Sequence, residues 1–198
     1  MSPPAYQRLQ NDERRALLLE RATELFATHG YDELSMAQIA RAAAISKALL
    51  YHYFPSKRHL FEAALAEGAA DLRGRIAPDE SQPPIQQLSD ALDAFLSWIE
   101  ERPQAYAKLM ESASSVEVRE IVQGVRAATA ARILAGIGPD GQRPATQAAV
   151  HGWLWFLDGA ILEWVGRDDL PRAELHGMLL GSLAGALIAS GATPLGAD

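Results

Sequence analysis

The 198-residue chain has no cysteine, which excludes a disulfide scaffold, thiolate zinc sites and cysteine nucleophiles together. It also lacks a GxGxxG, a Walker loop and an HExxH, and its five histidines, His29, His52, His59, His151 and His176, are scattered without ligand spacing. Neither an enzyme nor a metal or cofactor is expected. No segment sustains the apolar-polar alternation of a strand. Residues 175 to 197 hold no formal charge. Their apolar part before Gly191 nevertheless falls short of the ~20 residues needed to span a bilayer and is rich in Gly, Ala and Ser, so no membrane anchor is expected. The N-terminus is polar and has no apolar h-region, which predicts a cytoplasmic protein.

What is present is 48% hydrophobic and 22% charged residues, ordinary for a globular chain of one domain or two small ones. The net charge of −7 is unevenly placed. Residues 1–60 hold eight Lys and Arg against six Asp and Glu, a net of +2; the rest holds ten against nineteen, a net of −9. An acidic body repels DNA, so a mildly basic N-terminal part would meet it through one face only.

Helical periodicity runs through the whole chain. Asn11 or Asp12 is positioned to cap a first helix carrying Leu18, Leu19, Ala22, Leu25 and Phe26, with Gly30 as its stop. A helix from Ser56 to about Arg73 gives way to a break over Gly74–Pro84, the predicted domain boundary. Beyond it, Ile85 to Ile99 reads as one helix and Pro103 opens a short one. Ser114 with Glu117 forms a capping box for another, and Gly136–Gln142 reads as a loop. Pro144 to Val165 makes a long helix ended by Gly166, and a last one starts near Pro171 after Asp168 and Asp169, read as helix-start charges. The expectation is an all-α protein of about nine helices, with residues 1–74 as one domain and 75–198 as a second.

The densest pattern lies at residues 35–61. Ser35 and Gln38 stand at capping-box spacing, Ile39 and Ala40 are apolar, Ala43 and Ala44 are small where two helices must cross, and Ile45 plugs the turn. Ser46 caps a second helix in which Leu50 and Phe54 share one side and Lys47, Ala48, Tyr51, His52 and Tyr53 are left for others. Pro55 cannot continue that helix, Ser56 can cap the next, and Lys57 sits in its first turn, within reach of a phosphate. Two helices joined by a tight turn in this way read as a helix-turn-helix. By pattern alone, an aromatic run such as that at 50–54 is more often core than contact.

Ile39-Ala40, Ala43-Ala44-Ile45-Ser46, Leu50-Tyr51-His52-Tyr53-Phe54 and Lys57, in one register, resemble the signature of the TetR/AcrR family of bacterial transcriptional regulators. Ala44 departs from it, standing where many members carry a turn glycine, so a somewhat altered turn is expected. The resemblance implies an N-terminal three-helix DNA-binding domain and a larger helical domain that binds a ligand and dimerises. It places Lys47, Ala48 and His52 near base edges and Tyr51, Tyr53 and Lys57 near phosphates, with Ser46 at the helix start and Ser35, Met36 and Ala37 approaching from the preceding helix. The function implied is a ligand-responsive regulator, usually a repressor, that leaves a near-palindromic operator when a small, mainly apolar effector binds. An activator, an effector-independent DNA-binding protein, and a small-molecule binding protein or enzyme on the same fold stand as alternatives.

Two further sets are read with the resemblance. Phe95, Trp98, Tyr106, Met110, Trp153, Phe156, Leu157 and Asp158 gather aromatic and soft side chains with one carboxylate. They suit either an effector pocket or a core, with Asp158 either its polar group or a helix-pairing carboxylate. Gly177, Gly181 and Gly185 with Ala184 leave one side of the last helix nearly bare. That side suits either a homodimer interface, as the resemblance implies, or a close crossing within one chain.

Overall fold

The computed structural model describes residues 5–75, 81–167 and 169–192, with side chains from Asn11 onward. Among these residues are nine α-helices and no strand: α1 Ala5–His29, α2 Met36–Ala42, α3 Lys47–Tyr53, α4 Lys57–Arg75, α5 Pro84–Glu100, α6 Pro103–Ser112, α7 Val116–Ile137, α8 Pro144–Val165 and α9 Arg172–Ala189. The expected all-α architecture is therefore present, and the expected loop after α7 contains a short 3-10 helix, Gly138–Gln142. None of the described helices is long and apolar enough to cross a membrane.

Several boundaries differ from those read in the sequence. The first helix starts at Ala5, so Asn11 and Asp12 lie inside it. Its start has few apolar residues to mark it, and a capping residue further in is easily mistaken for the end. The seventh helix is capped by Ser115, whose Oγ accepts the Val118 N–H at 3.4 Å, while Ser114 Oγ turns back to donate to the Glu111 carbonyl. Gly74 continues α4, and residues 76–80 of the expected break lie outside the described residues. Asp168 lies outside them as well. Asp169 pairs with Arg167 ahead of α9, where a helix-start charge was expected.

The chain divides into two compact units: one holds everything up to Asp71 together with Gln104–Arg119, and the other holds Leu72–Pro103 with Glu120–Asp198. The single boundary at 74 thus misses that 104–119 belongs with the N-terminal helices. The first unit is built on a core of Leu18, Ala22, Phe26, Ile39, Leu50, Phe54, Leu60 and Phe61, all buried. Phe26, Tyr31 and Phe61 form an aromatic cluster, the Phe61 ring lying 4.9 Å from each of the other two. In the second unit α9 lies against α8 and α5. Leu175, Leu179, Leu183 and Leu187, one per turn, are buried to at least 98%, the ladder that 3.6-residue periodicity produces on one helix side. The indole of Trp153 donates to the Leu179 carbonyl at 2.9 Å, fixing α8 to α9.

Candidate nucleic-acid interface

The helix-turn-helix is set by side-chain caps and by one strained residue. Ser35 Oγ accepts the Gln38 N–H at 3.3 Å, and Gln38 Oε1 accepts the Ser35 N–H at 2.8 Å, a complete capping box on α2. Ser46 Oγ accepts the Leu49 N–H at 3.1 Å on α3, and Ser56 Oγ accepts the His59 N–H at 3.2 Å on α4. Between α2 and α3 the chain turns through Ala44 at φ 54°, the one non-glycine residue with positive φ among those described. The turn thus holds an alanine, without glycine's freedom, in the left-handed region. Three bonds hold it: the N–H groups of Ala43, Ala44 and Ile45 donate to the carbonyls of Ile39, Arg41 and Ala40.

Leu50 and Phe54 turn inward and are fully buried, so α3 keeps its other sides open. Ser46, Lys47, Ala48 and His52 are exposed, as are Ser35 and Ala37 on α2, and Tyr51 is 42% exposed. The Lys47 ammonium lies 5.7 Å above the Tyr51 ring. Met36 departs from the expected set: it is buried in the core, because the first residue of so short a helix shares the side of Ile39 and Ala40. Tyr53 is half-buried and its hydroxyl donates to Asn11 Oδ1, a contact that the misplaced start of α1 had hidden. Lys57 is half-buried as well, its Nζ donating to the Tyr31 carbonyl at 3.0 Å and lying 4.0 Å over that ring. Burial and the nearby Glu117 and Asp32 push the Tyr31 phenol above its ordinary value of 10.0. An open helix with hydroxyls, an ammonium and an imidazole, and with two capped helix starts beside it, offers donors for phosphates and base edges.

Comparison with known proteins matches residues 18–64 to the bacterial regulatory proteins of the tetR family, and residues 84–185 to the tetracyclin repressor-like C-terminal domain. The chain belongs to the TetR family. Among TetR relatives, it is 36% identical over 126 residues to the transcriptional activator FasR of Mycolicibacterium smegmatis, an alignment covering 63% of this chain and 57% of FasR. It is 35% identical over 78 residues to the transcriptional repressor KstR of Rhodococcus jostii, covering 38% and 36%. The chain thus spans less than two thirds of the length of either. A solved tetR-family regulator from Streptomyces coelicolor superposes with a TM-score of 0.74 at 31% identity, covering 90% of this chain and 82% of that one.

The side chains expected at an effector pocket fall in both units of this TetR-family chain. Trp153 and Leu157 are buried, Trp153 being bonded to α9, whereas Phe156 points outward and is 43% exposed. Phe95 and Trp98 are half-buried on α5, and Tyr106 and Met110 fall in the other unit. Asp158 is 9% exposed and accepts from both Nε and Nη2 of Arg126 at 2.5 Å. The Arg126 guanidinium also lies 3.9 Å over the Trp155 ring. The Asp158 carboxylate thus pairs α8 with α7, as in the second of its two readings. A cleft of about 400 Å³ does exist in this unit, between the α5 end and the α8–α9 connection, and is lined by Glu100, Pro103, Trp164, Leu170, Pro171 and Arg172 among others. None of the eight expected pocket residues lines it. Periodicity gave little means of telling the inward from the outward side of a largely apolar helix such as α8.

The glycine stripe of α9 faces away from the described helices of the chain. Gly177, Gly181 and Gly185 are exposed, and a Cβ built on any of them meets nothing within 4 Å. Among the described residues no helix crosses there. Ala184 beside them is half-buried. Met178 and Ile188 on α9, and Trp155, Phe156 and Leu162 on α8, are also exposed.

Proposed function

We propose that the chain is a dimeric, ligand-responsive transcriptional regulator acting in the cytoplasm, with residues 1–74 reading DNA and 75–198 dimerising and sensing. The observation that carries the DNA-reading part is the open side of α3, where Ser46, Lys47, Ala48, Tyr51 and His52 are exposed in a register fixed by the buried Leu50 and Phe54. Ser35 and Ala37 on α2 approach the same backbone, and Lys57 and the first turn of α4 supply further phosphate donors. The acidic remainder of the chain disfavours contact by other faces.

The homodimer is supported by the exposed apolar surface of α8 and α9. Trp155 and Ile188 are 63% and 60% exposed, and the bare glycine stripe lets a second backbone approach closely. Two reading heads related by a twofold axis would span successive major grooves, roughly 34–36 Å apart or a multiple of that, and so require a near-palindromic operator. On the repressor reading, a small, mainly apolar effector binds the DNA-free form more tightly. DNA must then weaken effector binding by the same factor.

A second reading, an effector-independent regulator, is favoured by one observation: three of the aromatic residues of α8 are either bonded into the packing, as Trp153, or turned outward, as Trp155 and Phe156. Activation in place of repression fits the same geometry, and the relative FasR is named an activator.

The test is fluorescence anisotropy of the whole protein on a duplex it enriches from a random-sequence library, against a scrambled duplex, over a salt series. Tight, competitor-resistant binding with a steep negative salt slope is expected, and Lys47→Ala and Tyr51→Ala weaken it with melting nearly unchanged. Failure to enrich any sequence would remove the DNA-reading role. An effector that shifts affinity separates the first reading from the second.

A further inference from the structure

Within the unit that carries the reading head, one buried hydrogen bond joins residues 81 positions apart: the Tyr31 N–H donates to Ser112 Oγ at 2.9 Å. Ser112 is the last residue of α6 and is itself buried. The other end of residue 31 is held as well, since its carbonyl accepts from Lys57 Nζ and its ring lies under that ammonium. Ser112, Tyr31 and Lys57 therefore form one continuous series of contacts, from the end of α6 to the first residue of α4, just past the reading helix.

The local sequence is built for this contact. Gly30 adopts φ +75°, and a Cβ there would stand 3.1 Å from Ser112 Oγ, so a glycine lets the α1–α2 connection reach the hydroxyl. One turn before Ser112, Lys108 Nζ contacts Glu33 at 3.4 Å and Glu111 at 3.0 Å, tying the same connection to α6 a second time. Those two carboxylates hold the Lys108 ammonium above its ordinary value.

We propose that Ser112 is a positioning residue for DNA binding: its hydroxyl fixes Tyr31, and Tyr31 in turn holds the Lys57 ammonium ready for a phosphate. The proposal rests on the DNA-reading role of α3 and α4 proposed above. A lysine on a flexible stem loses rotamer freedom when it settles on a phosphate. Lys57 has lost it beforehand, because its ammonium is already docked, and a protonated amine has three donors, only one of which Tyr31's carbonyl takes. Binding then costs less ordering, which is preorganisation. Removing the Ser112 hydroxyl leaves the Tyr31 N–H buried without its acceptor, and the 30–31 connection must move to satisfy it.

The experiment measures affinity of the full chain for the library-enriched duplex, with Ser112→Ala, Ser112→Thr, Lys57→Gln and the double variant Ser112→Ala/Lys57→Gln. Ser112→Ala is expected to weaken binding about fivefold, Ser112→Thr to restore most of it, and Lys57→Gln to weaken it about tenfold with a salt slope shallower by about 1. In the Lys57→Gln background, Ser112→Ala should cost nothing further, because the effect passes through Lys57. Equal losses in both backgrounds would make Ser112 merely structural and overturn the proposal, as would unchanged affinity of Ser112→Ala. Should Ser112→Ala not fold, hydrogen exchange of the Tyr31 amide in the unaltered protein answers the same question. By reciprocity, the duplex should slow that exchange about fivefold, and equal exchange with and without it overturns the proposal. If the unaltered protein enriches no sequence at all, the DNA-reading role fails first and the proposal with it.

Discussion

The open side of α3 and the open side of the α8–α9 pair are both turned to solvent and differ in nearly every chemical respect. On α3 the exposed residues are Ser46, Lys47, Ala48, Tyr51 and His52, polar or small, with only Tyr51 bringing a ring. On α8 and α9 they are Trp155, Phe156, Leu162, Met178 and Ile188, with a row of glycines on α9. Water solvates the first set at little cost. It solvates the second badly, at roughly 25 cal/mol for each Å² of apolar surface left uncovered. On the proposed function, exposure in a single chain means two things: a polar face left open for a polyanion that comes and goes, and an apolar face left open for a second copy of the chain.

This contrast can be broken by changing the apolar face first. Trp155→Glu combined with Ile188→Glu should weaken self-association about 1,000-fold, or ~4 kcal/mol, in sedimentation equilibrium, with helicity unchanged. An association constant that does not move would mean that the face meets nothing. Next in size is the ion pair under that face. Arg126→Ala removes the guanidinium from a carboxylate that is 9% exposed and should cost ~2–3 kcal/mol in urea unfolding, whereas Arg126→Met with Asp158→Leu should recover most of it. On the polar face the effects are smaller. Ser46→Ala removes the α3 cap and should cost ~1 kcal/mol of stability, while association of two copies stays the same.

The smallest effect is a pH dependence confined to the first unit. The Tyr31 phenol is held above 10.0, burial being the largest cause, so folding favours its protonated form. That contribution is complete below the unfolded value and is lost as pH rises through the folded one, so stability should fall above pH ~10. Tyr31→Phe should abolish that component: the two unfolding midpoints run parallel below pH ~10, and only the unaltered protein acquires the extra decline. Parallel curves at all pH values would mean that the phenol is not shielded.

How much of this was legible in the sequence depended on whether the deciding interaction was local. The caps at Ser35 and Ser46, the inward Leu50 and Phe54, and the nine helices follow from spacings of three and four residues, which the chain carries on its face. Met36 was misjudged because a two-turn helix offers too few positions to fix its inward side by pattern. Tyr53 was assigned to phosphate because its partner, Asn11, lies 42 residues away. The placement of the expected pocket residues was hidden for a third reason. Most of α8 is apolar, so periodicity loses its contrast, and only packing against α9 separates Trp153, which is buried, from Phe156, which is not. Ser112 left no signal at all, because its role depends on a backbone N–H, which has no sequence identity.

The turn at Ala44 carries a consequence for the heat of binding. Three N–H groups bonded back to α2 and a methyl-bearing residue held at positive φ leave the angle between α2 and α3 settled before DNA is met. Docking then orders no backbone in this region. Its heat-capacity change in titration calorimetry should match the surface covered, without the excess that accompanies coupled folding.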